Sequence, residues 1–339
     1  MALATSRIGA ANNVVSSLSA ANTLFLKQFA GEVIAAFEEA NVMMPLHTVR
    51  SISQGKSAQF PIMGTFTAAY HSPGNSVIED ETRAAMAHNE RVIHIDDLLL
   101  SAAFIDSLEE AKNHYDYRAE YTRKLGHSLA KEADKHLLGT LANAATAGAL
   151  APAGAGGGSI ELTSTSSAGQ AAVTSAQLVS ALFTAAATLD GNNVPDRDRY
   201  VVLTPTLYYN LISNGSTGYD ITKTVANSDI GGTGFGSGKV PMIAGFEIYK
   251  STNLVAHQAT NTASSDFPNT QNSYDEAWST DKVMGLIWHR SAIGTVKLQD
   301  LSMESEYQVE RQGTLMVAKY AMGHGILRPD AAIRLIDAA

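Results

Sequence analysis

The stretch SLEEAKNHYDYRAEYTRKLGHSLAKEADKHLLGTLAN, residues 107–143, decides the architecture. Leu108, Ala111, Tyr115, Ala119, Thr122, Leu125, Leu129, Ala133, Leu137 and Leu141 recur every three or four residues, the spacing of one buried face of an α-helix. Ser107 followed by Glu110 fits a capping box at its start. A helix over 107–143 would run about 55 Å at 1.5 Å per residue, far beyond the ordinary helix. No second helix of comparable length follows, so the pattern predicts a solitary spine packed across a sheet rather than a bundle. Gly126, in its interior, should cost about 1 kcal/mol relative to Ala and points to a close approach or a bend.

Upstream, residues 1–21 are rich in Ala, Ser and Asn and read as a mobile arm. Phe25, Phe29, Val33, Ala36 or Phe37, and Ala40 then recur at helical spacing opposite Lys27, Gln28, Glu38 and Glu39, predicting an amphipathic helix. Its apolar face packs either on its own domain or on a neighbouring subunit, and composition does not separate the two. Between Lys56 and Asp96, QFPIMGTFTAAY and RVIHIDD flank HSPGNS and the charged EDETRAAMAHNE, which predicts a long hairpin with a polar tip. Pro61 puts its strand at an edge or bulge. A two-stranded ribbon with so few large apolar residues cannot build a core, so Phe60, Phe66 and Tyr70 are candidates to be buried against a partner.

Downstream, 144–172 is low-complexity and turn-rich and reads as a loop or linker. Ser175 to Leu189 is expected to be helical, RYVVLTP (199–205) a strand, and Pro205 the start of a short helix. GFEIYKS (245–251) and KVMGLIWH (282–289) are further strands, separated by long, weakly charged loops at 213–240 and 255–280. Strand-like alternation returns at Thr295 to Leu298, Leu315 to Tyr320 and Ala332 to Ile336.

Chemistry is scarce. The chain has no Cys, which removes disulfides, iron–sulfur clusters and thiol nucleophiles together. GGTGFGSGK (231–239) has Thr233 where a phosphate loop needs Gly and Val240 where it needs Ser or Thr. His94 with Asp96 and Glu132 with His136 come nearest to metal-ligand spacing, without further ligands close by. No nucleophile elbow occurs. No catalytic residue, metal or cofactor is therefore assigned. The formal net charge of -9 disfavours a phosphate-tracking surface. The apolar run from Leu98 to Ile105 is far shorter than the roughly 20 residues of a membrane helix, and the N-terminal stretch lacks a signal-peptide core. A protein made in a cytoplasm is expected.

Four strings carry a family resemblance: RSISQGKSAQFP (50–61), NHYDYRAEY (113–121), HRSAIGTVKLQDL (289–301) and AKYAMGHGILRPDAA (318–332). With LFLKQFAGEV near the N-terminus, they resemble the major capsid proteins of short-tailed phages of the T-seven group, in family order across nearly the whole chain. The resemblance implies an α+β fold of the Hong Kong 97 type: an N-arm (1–55), an extended loop (56–96) and a peripheral domain with the spine helix (97–174). An axial domain (175–298), a return to the peripheral domain (299–327) and a C-terminal strand rejoining the axial domain (328–339) complete it. It also implies hexamers and pentamers of this chain in a T=7 shell, a scaffolding protein and a portal as partners, and enclosed double-stranded DNA that is not gripped. Phe25, Phe29, Val33, Phe60, Phe66 and Tyr70 are then candidate intersubunit contacts. Two other classes stay open, an encapsulin-like compartment and a hydrolase with an unrecognised site.

Overall fold

The computed structural model describes residues 41–63, 70, 73–74, 88–108, 117–149, 155–162, 173–213, 242–254, 272, 274 and 283–337. Phe25, Phe29, Val33, Phe66, Glu110 and the string at 231–239 lie outside the described residues. The helices α1 (Tyr117–Thr146), α2 (Ser175–Gly191) and α3 (Pro205–Ser213) and short 3-10 turns at Met44–Leu46 and Pro329–Ala331 accompany eleven strands among the described residues. The strands are β1 (Thr48–Ser51), β2 (Ser57–Met63), β3 (His88–His94), β4 (Leu99–Asp106), β5 (Gly158–Leu162) and β6 (Arg199–Leu203). β7 (Glu247–Lys250), β8 (Val283–His289), β9 (Ile293–Gln308), β10 (Gly313–Ile326) and β11 (Ala332–Asp337) follow.

They form a four-stranded sheet in the order β1-β9-β10-β4, a five-stranded sheet in the order β5-β11-β8-β6-β7, and the β2-β3 pair. In the five-stranded sheet, RYVVL of β6 is buried along its whole length and VMGLIWH of β8 nearly so, as expected of central strands covered on both faces. α2 adds Leu178, Leu182, Ala185 and Leu189 to that core, and α3 adds Leu207 and Leu211. A capping box starts α2: the Thr174 hydroxyl accepts from Gln177 N while the Gln177 side chain accepts from Thr174 N.

The expected spine is present, and it serves both sheets. Leu125, Leu129 and Ala133 pack with Ile105, Met316, Ala318 and Tyr320 of the four-stranded sheet. One turn later Leu137, Leu138 and Leu141 enter the cluster built on β6, β8 and β11. Between these groups Asp134 is fully buried and accepts from Val42 N (2.9 Å) and Met43 N (3.1 Å), which fastens the segment preceding β1 to the helix. The Trp288 indole donates to Leu46 O (3.2 Å) and fixes the same segment to β8.

Several expectations change. The Ser107 hydroxyl donates to Gln312 O (2.7 Å) in the β9–β10 turn and the Asp106 carboxylate accepts from Leu108 N (2.7 Å), while the capping-box partner Glu110 lies outside the described residues. The stretch 144–172 is not a plain linker, because its Gly158–Leu162 segment is β5, paired in parallel with β11. Gly157 explains part of its composition, since a Cβ there would lie 2.4 Å from Ala144 O and Ala145 O at the end of α1. The apolar run from Leu98 to Ile105 is strand β4, hydrogen-bonded along β10. The change of sheet expected at 298/299 falls earlier, because β9 is continuous from Ile293 and the chain passes from the five-stranded to the four-stranded sheet at the turn 290–292.

Gly126 also differs from expectation, because a Cβ there would meet nothing within 4 Å. Neither a close approach nor a left-handed φ requires the glycine. Gly126→Ala should therefore stabilise the chain by about 1 kcal/mol, a rise in Tm of about 1–2 °C in a scan of the unassembled protein; an unchanged or lower Tm would contradict this.

Candidate functional site: hairpin junction and exposed sheet

β2 and β3 pair antiparallel from Ser57 opposite His94 to Met63 opposite His88. The base of this hairpin lies on the four-stranded sheet through Ala58, Ile93 and Ile95, which bury against Val296 and Ala321. Glycine makes the approach possible. A Cβ on Gly323 would stand 1.8 Å from His94 O, one on Gly325 would be 2.7 Å from the Ile93 side chain, and one on Gly294 would meet Leu327 at 2.8 Å. The GHG of the string at 318–332 is thus the floor on which β3 crosses β10.

His324, between those two glycines, is buried and belongs to a polar junction that joins five segments. His47 Nδ1 donates to Met43 O (2.9 Å), which leaves Nε2 as an acceptor for the Thr295 hydroxyl (2.6 Å). The Thr295 oxygen then accepts from His324 Nδ1 (2.8 Å), so both tautomers are set by the chain of bonds. The Tyr274 hydroxyl donates to Asp96 Oδ2 and accepts from His324 N (3.1 Å). Asn272 Nδ2 donates to His94 O and to Asp96 Oδ1, both at 2.9 Å. His136 of α1 stacks on the Tyr274 ring, centroids 4.6 Å apart. The pairs noted in the sequence are therefore absorbed structurally: Asp96 takes Tyr274 and Asn272, and Glu132 forms an ion pair with Lys135 at 3.0 Å. Among the described residues no group of three His, Asp or Glu side chains could hold a metal ion.

Burial shifts the junction's titrations. Desolvation raises the Asp96 carboxyl to about 6 against the pull of the Tyr274 and Asn272 hydrogen bonds, with the Asp97 charge pushing the same way as burial. Desolvation lowers His47 to about 4, and it lowers His324 well below the ordinary value with help from the neighbouring His136 and His47.

The second feature is apolar surface. The period-two register puts Leu100 and Phe104 of β4, Leu315 and Val317 of β10, and Glu304 and Glu306 of β9 on the face away from α1. Leu100 is 56% exposed and Phe104 40%. On the helix-bearing face α1 covers β4 and β10 but leaves Met303 and Tyr307 of β9 exposed, the latter at 49%. Leu301 and Val309 add to this patch, Val309 at 70%. From Leu298 onward β9 has a strand partner on one side only among the described residues, since β1 stops at Ser51 opposite Lys297. The alternation in LSMESEYQV (301–309) signals this strand, and the sequence reading passed over it. Tyr274 and Asn272 had no such signal, standing in a polar loop whose partners are far away in sequence.

Of the six candidate contact residues, two are described. Tyr70 is fully exposed. Phe60 is half-buried at the hairpin base, under the Arg50 guanidinium at 5.6 Å, so part of its surface already serves its own subunit.

Residues 59–336, which contain the exposed sheet and most of the junction, match the model of the family described as Gp10A-like: Major capsid protein. The chain belongs to that family. It is 38% identical over 325 residues to the major capsid protein of Enterobacteria phage T3, covering 91% of this chain and 90% of the relative. Identity to the major capsid protein of Escherichia phage T7 is 36% over 320 residues, with 91% and 90% covered. The capsid structure of cyanophage P-SCSP1u superposes with a TM-score of 0.76 at 40% identity, covering 99% of both chains. The fold is the Hong Kong 97 type, and the chain is a major capsid protein of an icosahedral phage head, a structural component of the virion. Both other classes left open by the residues give way to this: the relatives are phage capsid proteins, neither compartment shells nor hydrolases.

Two outcomes follow from the junction. Gly323→Ala, with its methyl on the His94 carbonyl, should cost about 1–3 kcal/mol in urea unfolding, whereas Gly148→Ala, where a Cβ meets nothing within 4 Å, should cost far less; equal effects would show that the crossing is not tight. Asp96 holds a proton more readily folded than unfolded, so its contribution is full below its ordinary value of 3.8 and is lost as pH rises through about 6. His47 works in reverse: its contribution is present above 6.5 and is lost as pH falls through about 4. Asp96→Asn removes the first dependence alone. The Tm advantage of the native chain over this variant should therefore shrink as pH rises from about 5 to about 7.5, and a constant difference would contradict the assignment.

Proposed function

We propose that the chain builds a closed T=7 shell of hexamers and pentamers around a scaffolding protein and a portal, and that the shell encloses double-stranded DNA without gripping it. The observation that supports this reading is the apolar surface on both faces of the four-stranded sheet, on a chain whose relatives are capsid proteins. Leu100 and Phe104 on one face, and Leu301, Met303 and Tyr307 along β9 on the other, give each face several large exposed apolar side chains. Contacts among many copies would cover them, each modest and their sum large. The net charge of -9 suits a wall that repels the phosphate backbone it surrounds. Phe25, Phe29, Val33, Phe66 and Tyr70 remain proposed contacts to neighbouring subunits or scaffold, with Phe60 shared between its own hairpin base and a neighbour.

Co-expression with the cognate scaffolding protein, followed by negative-stain microscopy, tests the reading. The native chain should give closed shells. Leu301→Asp combined with Tyr307→Asp, both exposed in the subunit, should change monomer stability by no more than about 0.5 kcal/mol per site and should abolish closed shells. Shells formed by this variant at the native yield would refute the role of the patch, and monomers or dimers from the native chain would refute the assembly itself.

A further inference from the structure

The glycine floor brings the hairpin close but does not aim it. With no side chains at Gly323 and Gly325, β10 offers the hairpin base only the small Ala321 to key against, so the apolar contact of Ala58, Ile93 and Ile95 fixes distance better than direction. Backbone bonds add little restraint: Ile95 N donates to Lys56 O (2.9 Å) within the hairpin, and Asp96 N to Met322 O (3.2 Å) is the one to the sheet below among these. The Arg50 guanidinium of β1 donates to Gln59 O (3.1 Å) on β2, and the other directional contacts come from elsewhere in the chain. Asn272 and Tyr274 belong to the connection between β7 and β8 of the five-stranded sheet, yet their polar atoms end on His94 O and on both carboxylate oxygens of Asp96, where the hairpin joins the four-stranded sheet.

We propose that Asn272 and Tyr274 form a clasp that sets the direction in which the hairpin leaves the four-stranded sheet, so that the hairpin and the β7–β8 connection turn together. The clasp is itself held firmly. Tyr274 is 1% exposed, stacks on His136 of the spine and accepts from His324 N, so its hydroxyl is presented to Asp96 by both α1 and β10. Asp96 is the post. It sits between β3 and β4 and has each oxygen taken by a different residue of the connection, which restrains rotation as a single hydrogen bond would not. A displacement of Asn272 and Tyr274 is thereby converted into a change of hairpin angle. These are positioning residues, and their role is a property of the single subunit, so it stands or falls independently of whether the shell assembles as proposed above.

The absence of Cys permits a clean test by paired labelling. Met63→Cys on β2 and Phe183→Cys on α2, both exposed, carry nitroxide labels on the full-length unassembled chain, and pulsed electron resonance reads the distance between hairpin and five-stranded module. Tyr274→Phe removes the hydroxyl but keeps the ring stacked on His136, and Asn272→Ala removes the other arm. Either variant should broaden or shift the distance distribution. Hydrogen exchange should rise about tenfold in peptides of β2 and β3 and stay within about twofold of the native chain in β6 and β8. An unchanged distance distribution in both variants would overturn the proposal. So would an equal rise in exchange across β6 and β8, which would make Tyr274 an ordinary core residue.

Discussion

One helix carries the hydrophobic closure of two sheets. α1 leaves the four-stranded sheet after Ala133 and enters the core of the five-stranded sheet at Leu137, a change of partner within about one turn. Each of Leu137, Leu138 and Leu141 is wholly buried, worth about 1.5–3 kcal/mol apiece, so the second module is anchored by the helix that backs the first. A rigid rod of hydrogen-bonded backbone crosses the boundary, and the angle between the sheets is thereby tied to the direction of a single element. The buried carboxylate of Asp134 stands at the crossing and takes the two amides that begin the path to β1.

The polar junction beside it follows from the same constraint. Segments that converge on the helix boundary bring backbone amides and carbonyls with them, and buried polar groups are costly unless paired. Thr295, His47, His324, Tyr274, Asn272 and Asp96 form successive donor–acceptor links that satisfy them. The imidazoles are kept neutral by burial, which lets each donate at one nitrogen while the other remains free to accept. Such a network rewards one arrangement of five segments and penalises near alternatives, because a displaced member strands its neighbours.

Local pattern made much of this legible. The leucine spacing of 125–141 marked the spine, the alternation of RVIHIDD marked β3, and the continuous apolar runs of β6 and β8 marked a buried sheet. The misreadings have physical reasons. β5 hid inside a glycine-rich stretch because its glycines answer to close backbone approach at Gly157 and to the Ile333 side chain at Gly158, neither of which the local sequence contains. The Ser107 hydroxyl donates to Gln312 O, a partner 205 positions away that no local pattern announces. The junction was the least readable part, since Asp96 and Tyr274 meet only after both sheets are in place. The exposed apolar face was written plainly in 301–309, and it escaped because acidic residues alternate with the apolar ones along the strand.

The position of β11 bears on the order in which the molecule can be made. Residues 332–337 fill the slot between β5 and β8, with Ile333 opposite both Gly158 and Ile287. Until that strand arrives, β5 has no described sheet neighbour and the inner edge of β8 stands open. During synthesis the five-stranded module therefore waits on residues translated long after its first strand, a long-range pairing that folds slowly and leaves strand edges bare meanwhile. Completion of this sheet depends on residues 332–337, and a chain stalled before them presents an unfinished module with a bare strand edge.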